Sequence, residues 1–311
     1  MKTDLTQPLE APVAGDDRGA ARGFAFALTA YLMWGVMPLY LKLLAHVPPV
    51  EVIAHRVVWS VPVAGLVLLV MRRVGDIRAS FGSPRTLGMA AVTATLISVN
   101  WCVYVWAIAN DHALDAALGY YINPLFSIVL GAVLLGERLD RLQIAAVVLA
   151  AAAVAVLTWE AGHLPAVALA LTVSWGFYGY FKKSLPIGPN QGFLLEVLLL
   201  SPPALAYIAW LAATGQGKFL AGSPGDDWLL LGCGLITAVP LLIFANGAKL
   251  LRLSTIGIMQ YIAPTMILLI AIFAFDETFA GADMIAFPMI WAALVLYSVP
   301  MLRQMRRTAR L

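Results

Sequence analysis

The sequence predicts an all-α polytopic membrane protein with ten transmembrane helices in two inverted five-helix repeats. Three observations carry that expectation. The 311-residue chain is 61% hydrophobic, has only 12% charged residues and has a mean hydropathy of +0.86. A soluble domain carries about 25% charged residues, so most of this surface has to face lipid. Of the twenty Lys and Arg, all but Lys42, Arg56 and Lys218 fall in segments that share one side of the membrane if the N-terminus is cytoplasmic, which is a strong positive-inside bias. The third observation is an internal echo. Tyr121-Ile122-Asn123-Pro124 returns as Tyr261-Ile262-Ala263-Pro264, an offset of 140, with Glu137 and Glu277 at equal distances beyond the prolines. Trp34-Gly35 with Lys42 returns as Trp175-Gly176 with Lys183, at an offset of 141.

The elements follow in order. Residues 1–21 are polar, with Asp4, Glu10, Asp16 and Asp17, and are expected to form a cytoplasmic tail; the apolar run after them is too long for a signal peptide and has no cleavage site. A bilayer core of about 30 Å takes about 20 apolar helical residues. The chain offers ten such runs, at about 22–44, 50–71, 86–109, 114–135, 141–158, 164–183, 190–213, 227–250, 254–275 and 280–302. Turn and charge signals separate them, among them Val47-Pro48-Pro49, Asn110-Asp111-His112 and Asp276-Glu277, and the longest breaks, 72–85 and 214–226, are rich in Gly and Ser. Residues 303–311 form a basic tail, expected to be cytoplasmic like the N-terminus. The repeats are then 22–158 and 164–302. Five spans is an odd number, so the second half enters from the opposite side. Inverted repeats of this kind are characteristic of secondary transporters that alternate access around a central site.

Within that frame the prolines stand out. Pro124 and Pro264 each fall about eleven residues into spans 4 and 9. Each removes an N–H and crowds the carbonyl four residues back, at Tyr120 and Gln260, so both spans are expected to bend near the midplane. Paired interruptions of two halves point to a transport site. Tyr120, Asn123 and Ser127 share a face of span 4, and Gln260 and Ala263 a face of span 9. An unpartnered amide in hydrocarbon costs several kcal/mol, so Asn123 and Gln260 are expected to face the bundle interior, bonded to a neighbouring helix or lining a cavity. Asn100, Trp101 and Tyr104 on span 3, Tyr31, Trp34 and Tyr40 on span 1, and Ser174, Trp175, Tyr178 and Tyr180 on span 6 add polar and aromatic groups. The candidate substrate-binding residues are Trp34, Tyr40, Asn100, Tyr104, Tyr120, Asn123, Trp175, Tyr178 and Gln260. Such a cavity would suit an amphipathic organic solute.

Ionisable residues inside spans are functional candidates by default. His55 and Arg56 lie about one turn into span 2, with Glu51 four residues before His55 on the same face. A Glu51–His55 contact, an Arg56 side chain reaching the outer interface, and substrate or proton handling are the open alternatives. Glu196, one turn into span 7, is a candidate protonatable carboxylate or a partner of Lys182 or Lys183. Glu137 and Glu277 end at opposite membrane faces and read as loop or capping elements. Span 5, almost entirely Ala and Val from Ala145 to Ala155, and the plain span 10 read as packing or homodimer-forming helices.

Several chemistries have no support in the sequence. Cys102 and Cys233 give neither a disulfide framework nor a metal spacing. The net charge of +3 is dispersed and forms no nucleic-acid stripe. No Walker A, HExxH, GxSxG or GxGxxG sequence is present. A catalytic residue, a metal and a cofactor are therefore not expected. An intramembrane enzyme or a non-transporting sensor is the competing class.

The ordered motifs Ala30-Tyr31 with Trp34-Gly35, Ala54-His55-Arg56-Val57-Val58-Trp59-Ser60, Asn100-Trp101, Ala117-Leu118-Gly119-Tyr120-Tyr121-Ile122-Asn123-Pro124-Leu125, Leu135-Gly136-Glu137-Arg138, Phe177-Tyr178-Gly179 with Lys182-Lys183, Leu253-Ser254-Thr255 and Gln260-Tyr261-Ile262-Ala263-Pro264-Thr265 resemble the RarD group of EamA-type transporters in the drug/metabolite transporter superfamily. The resemblance runs over about 22–303. Asn246, where the group tends to have a small residue, and Thr158-Trp159-Glu160, which opens an outer loop, depart from it. The resemblance implies ten helices in two inverted halves and a cavity lined by spans 1, 3, 4, 6, 8 and 9. It also implies export of a small organic solute such as a metabolite, amino acid or drug across a bacterial inner membrane. Its label refers to chloramphenicol sensitivity and leaves the substrate open.

Overall fold

The computed structural model describes residues 17–73, 77, 80–136, 139–183, 185–221, 223–248, 250–251 and 253–308. Glu137, most of the expected N-terminal tail and residues 309–311 lie outside the described residues. The described segments form helices α1 (Asp17–Leu43), α2 (Pro49–Val70), α3 (Pro84–Ala109), α4 (Ala113–Leu135), α5 (Arg141–Ala161), α6 (Ala166–Lys183), α7 (Pro189–Thr214), α8 (Pro224–Ala248), α9 (Leu253–Met259), α10 (Ile262–Ala274) and α11 (Asp283–Thr308). Helices α1 to α8 are spans 1 to 8, α9 and α10 share span 9, and α11 is span 10. Seven of them are long and apolar enough to cross a membrane, and Ile262–Ala274 and Asp283–Val299 are shorter apolar helices. The remaining span, α6, is apolar until it ends on Lys182-Lys183. The protein is all-α and polytopic.

Local chemistry sets the boundaries. Pro49, Pro84 and Pro189 open α2, α3 and α7, where a missing N–H costs nothing. Ser83 caps α3 by accepting from the Thr86 N–H, and Asp140 with Gln143 forms a reciprocal capping box at α5. Gly136, Gly162 and Gly215 stop α4, α5 and α7 in the left-handed conformation. The Gly162 stop corrects one expectation. Thr158, Trp159 and Glu160 are the last turn of α5 rather than a loop, because nothing ends the helix before that glycine. The basic tail is likewise helical as far as Thr308.

Span 9 breaks where span 4 does not. Helix α9 stops at Met259, and α10 begins at Ile262 with Pro264 in its first turn, whereas α4 is one helix through Pro124. Both prolines delete the same bond. The residues before them differ: Ala113-Leu-Asp-Ala-Ala-Leu in span 4 against Leu253-Ser-Thr-Ile-Gly-Ile in span 9. Alanine and leucine favour a helix, while serine, β-branched residues and glycine oppose it, so only span 9 lacks the local preference to carry the helix across the gap.

Packing is pairwise. Helix α2 lies against α7 and α8, α1 against α8 and α10, α6 against α3 and α4, α4 against α10, and α5 along α11. Small buried faces permit the last contact: Ala146, Ala150 and Ala153 on α5, and Ala286 and Ala293 on α11. The opposite faces are exposed, as at Val148 and Val295. Gly119 of α4 admits the Ala168 carbonyl of α6, where a Cβ would stand 2.7 Å from that oxygen.

Glu277, just past α10, caps another span. Its two carboxylate oxygens accept from the Ala113 and Leu114 N–H groups at 2.7 and 2.9 Å. These are orphan donors at the positive end of α4. Glu277→Gln is expected to destabilise the fold by about 1 kcal/mol, read as an earlier thermal transition in detergent; an unchanged transition would show the cap to be energetically silent.

Candidate functional site

A cavity of about 300 Å³ opens among the middle turns of the bundle. Trp34 from α1, Arg56 from α2, Asn100 and Tyr104 from α3, Tyr120, Asn123 and Pro124 from α4, Trp175 from α6, Gln260 from the span 9 break and Pro264 from α10 all line it. Its walls are aromatic. On one side Tyr31, Trp34 and Phe244 meet with centroids 5.4–5.6 Å apart. On the other, Tyr120 lies 5.6 Å from Tyr104 and 6.3 Å from Trp175.

Its polar groups divide into satisfied and unsatisfied ones. Asn100 is fully buried and its amide is used up. The Nδ2 donates to the Leu171 carbonyl at 3.1 Å and to Ser174 Oγ at 3.0 Å, and the Oδ1 accepts from the Tyr120 hydroxyl at 3.3 Å. It therefore ties α3, α4 and α6 together and sets the Tyr120 ring. Asn123 Oδ1 and Arg56 Nη1 are buried with no hydrogen-bond partner in the structure. An unsatisfied buried polar atom is costly, and both of these residues line the cavity.

The other candidates sit elsewhere. Tyr40 donates to the Leu229 carbonyl on α8. Tyr178 donates to Glu196 Oε2 at 3.3 Å, and Lys182 Nζ pairs with Glu196 Oε1 at 2.6 Å. Lys182, one of the two partners the sequence offered Glu196, is seen to hold it. His55 Nδ1 accepts from the Trp59 indole at 3.0 Å, with the Phe219 ring 4.6 Å away. Glu51 turns to the 215–221 loop, where its Oε1 accepts from the Lys218 and Phe219 N–H groups. Arg56 does not reach an interface; it is 2% exposed.

Comparisons with known proteins follow the same lines as the geometry. The EamA-like transporter family profile matches residues 21–159. Protein RarD of Streptomyces exfoliatus is 43% identical over 92% of this chain and 91% of its own length. The chain belongs to the EamA-like transporter family. Protein RarD of Escherichia coli K12 is 38% identical over 95% of this chain and all of its own, and an uncharacterized transporter of Vibrio cholerae is 40% identical over 91% and 94%. This places the chain among the RarD relatives of that family. A solved crystal structure shares the fold with a TM-score of 0.58, at 21% identity over 88% of this chain and 96% of its own.

For this EamA-family chain, sequence reasoning missed four lining residues, Met37, Phe244, Ile256 and Ile267. Phe244 had a signal: it stands 140 residues after Tyr104, the offset of the internal echo. Met37 had none, since a methionine in an apolar run marks nothing.

Proposed function

We propose that the chain is a permease that exports a small organic solute by alternating access, its two inverted halves, 22–158 and 164–302, rocking around the cavity. The observation that carries this reading is that twelve of the eighteen lining residues come in pairs at the offset of the echo: Trp34 with Trp175, Tyr104 with Phe244, Tyr120 with Gln260, Asn123 with Ala263, Pro124 with Pro264, and Ser127 with Ile267. A site on the axis relating two inverted halves collects equivalent residues from each. Helix packing supports it too. Exchanging each span for its counterpart turns the α1–α8 contact into α6–α3, and α1–α10 into α6–α4, and all four contacts occur. The cation distribution favours both termini in the cytoplasm of a bacterium and the multi-pass chain in its inner membrane.

The test is flux in vesicles reconstituted with the purified chain, using a solute chosen by thermal-shift screening, because a ligand that binds only the folded state raises its stability. Movement of the solute without any chemical product is the expected result. Turnover of the solute with no flux would remove the permease reading in favour of an enzyme. Asn123→Ala and Gln260→Ala should each lower flux about five-fold, the worth of one hydrogen bond, with normal folded yield. Full flux in both would place the solute elsewhere.

A further inference from the structure

Among the described residues Arg56 is the largest fully buried side chain, and none of them gives it a countercharge. Its Nε donates to Thr237 Oγ1 at 2.9 Å, while the Thr237 hydroxyl donates to the Cys233 carbonyl and leaves its lone pairs to the arginine. The guanidinium lies 4.8 Å from the centre of the Trp101 ring, and Nη2 reaches only the Met37 sulfur, at 3.9 Å. No carboxylate pairs with it among the described residues, and it is the only charged residue in the cavity wall.

A guanidinium stays charged at any ordinary pH, so this site keeps a full positive charge in a low-dielectric interior. One hydroxyl and one ring face offset only part of its desolvation. Arg56, with its Nη1 unpartnered, lines a cavity whose remaining walls are aromatic, aliphatic, amide and hydroxyl. Such a site repels a cation, leaves the charge uncompensated beside a neutral solute, and is neutralised by one negative charge. With no second cation in the wall, a dianion would itself be left half-paired.

We infer that the cavity takes a small organic monocarboxylate bearing a flat ring, its carboxylate on Arg56 Nη1 and its ring between the aromatic walls. This rests on the permease reading and names its substrate class. Arginine matches a carboxylate better than any other side chain. Asn123 Oδ1, the other unpartnered buried atom of the wall, accepts from a donor on the same solute.

The test uses the full-length chain in detergent and three probes with the same ring: benzoate, benzamide and benzylamine. Affinity is read from the thermal transition and from tryptophan fluorescence. Benzoate should bind at least about ten-fold more tightly than benzamide, and benzylamine should not bind. Arg56→Met should abolish the preference for benzoate, and Arg56→Lys should keep part of it, since lysine retains the charge but not the planar fork. Arg56→Met should also unfold no earlier than the parent, because it removes an unpaired buried charge; an arginine with a purely structural role would show the reverse. Equal binding of benzamide, no binding of benzoate, or a benzoate preference surviving in Arg56→Met would each overturn the inference. The first comparison needs only the parent chain, so a variant that fails to fold does not remove the test. All these readings are equilibrium binding, separate from the flux on which the permease reading depends.

Discussion

Glu196→Ala should destabilise the folded chain by about 3–5 kcal/mol, and Lys182→Met combined with Glu196→Leu should recover most of that loss. The Glu196 side chain is 1% exposed and that of Lys182 19%, so removing one partner leaves the other charge without compensation. Lys182 keeps the Tyr178 ring, 5.4 Å from its Nζ, and Tyr178 loses its acceptor. An apolar pair of similar volume carries no such debt and often matches or exceeds the ion pair it replaces. The measurement is thermal unfolding in detergent of the parent, the single variant and the double variant. A single variant as stable as the parent would mean that water reaches the pair, and a double variant no better than the single would mean that packing, not charge, is at stake.

The second large effect belongs to the seam between α2 and α8. A Cβ at Gly234 would overlap the carbonyl and Cβ of Trp59, so even alanine has to push backbone rather than a flexible side-chain end. Overpacking of this kind costs about 1–3 kcal/mol. The displacement would also spread toward the cavity. Ser60 Oγ donates to the Arg56 carbonyl at 2.6 Å in the same seam, and Thr237, which holds the arginine, lies one turn beyond Gly234. Gly234→Ala should therefore unfold earlier and bind benzoate more weakly. Gly88→Ala is the control: a Cβ there has nothing within 4 Å and should gain about 0.5–1 kcal/mol of helix preference. Indistinguishable behaviour of the two variants would show that the seam yields freely.

Much of the fold was legible because lipid leaves few choices. Every backbone polar group has to be satisfied inside a span, so apolar runs translate directly into helices. The cavity was legible in part for a different reason: an offset that recurs along the sequence marks positions rather than residue types. It links Trp34 with Trp175 although both look like ordinary aromatic residues, and it would have reached Phe244 had it been extended from Tyr104. Rotation of each helix about its axis was not legible. Tyr40 and Tyr178 are tyrosines of apolar spans just as Tyr104 and Tyr120 are, yet they turn to the Leu229 carbonyl and to Glu196. Glu51 and His55 share a helix face by spacing, and only the arrival of the 215–221 loop decides that the carboxylate serves backbone N–H groups there. The break of span 9 at Gln260 depended on weighing the poor helix formers before Pro264, which the proline pattern alone conceals.

The Glu277 cap has a kinetic side. Any rocking that parts α4 from the end of α10 at this edge must release two charge-assisted hydrogen bonds together, and the Tyr121–Thr265 hydroxyl contact at 2.7 Å lies deeper along the same pair of helices. Leaving the resting shape by that route would exchange these bonds for bonds to water, at a modest net cost that adds to the barrier. Loosening that glutamate would trade thermal endurance for faster cycling, so the pace of the protein would be written partly into a residue that never meets its cargo.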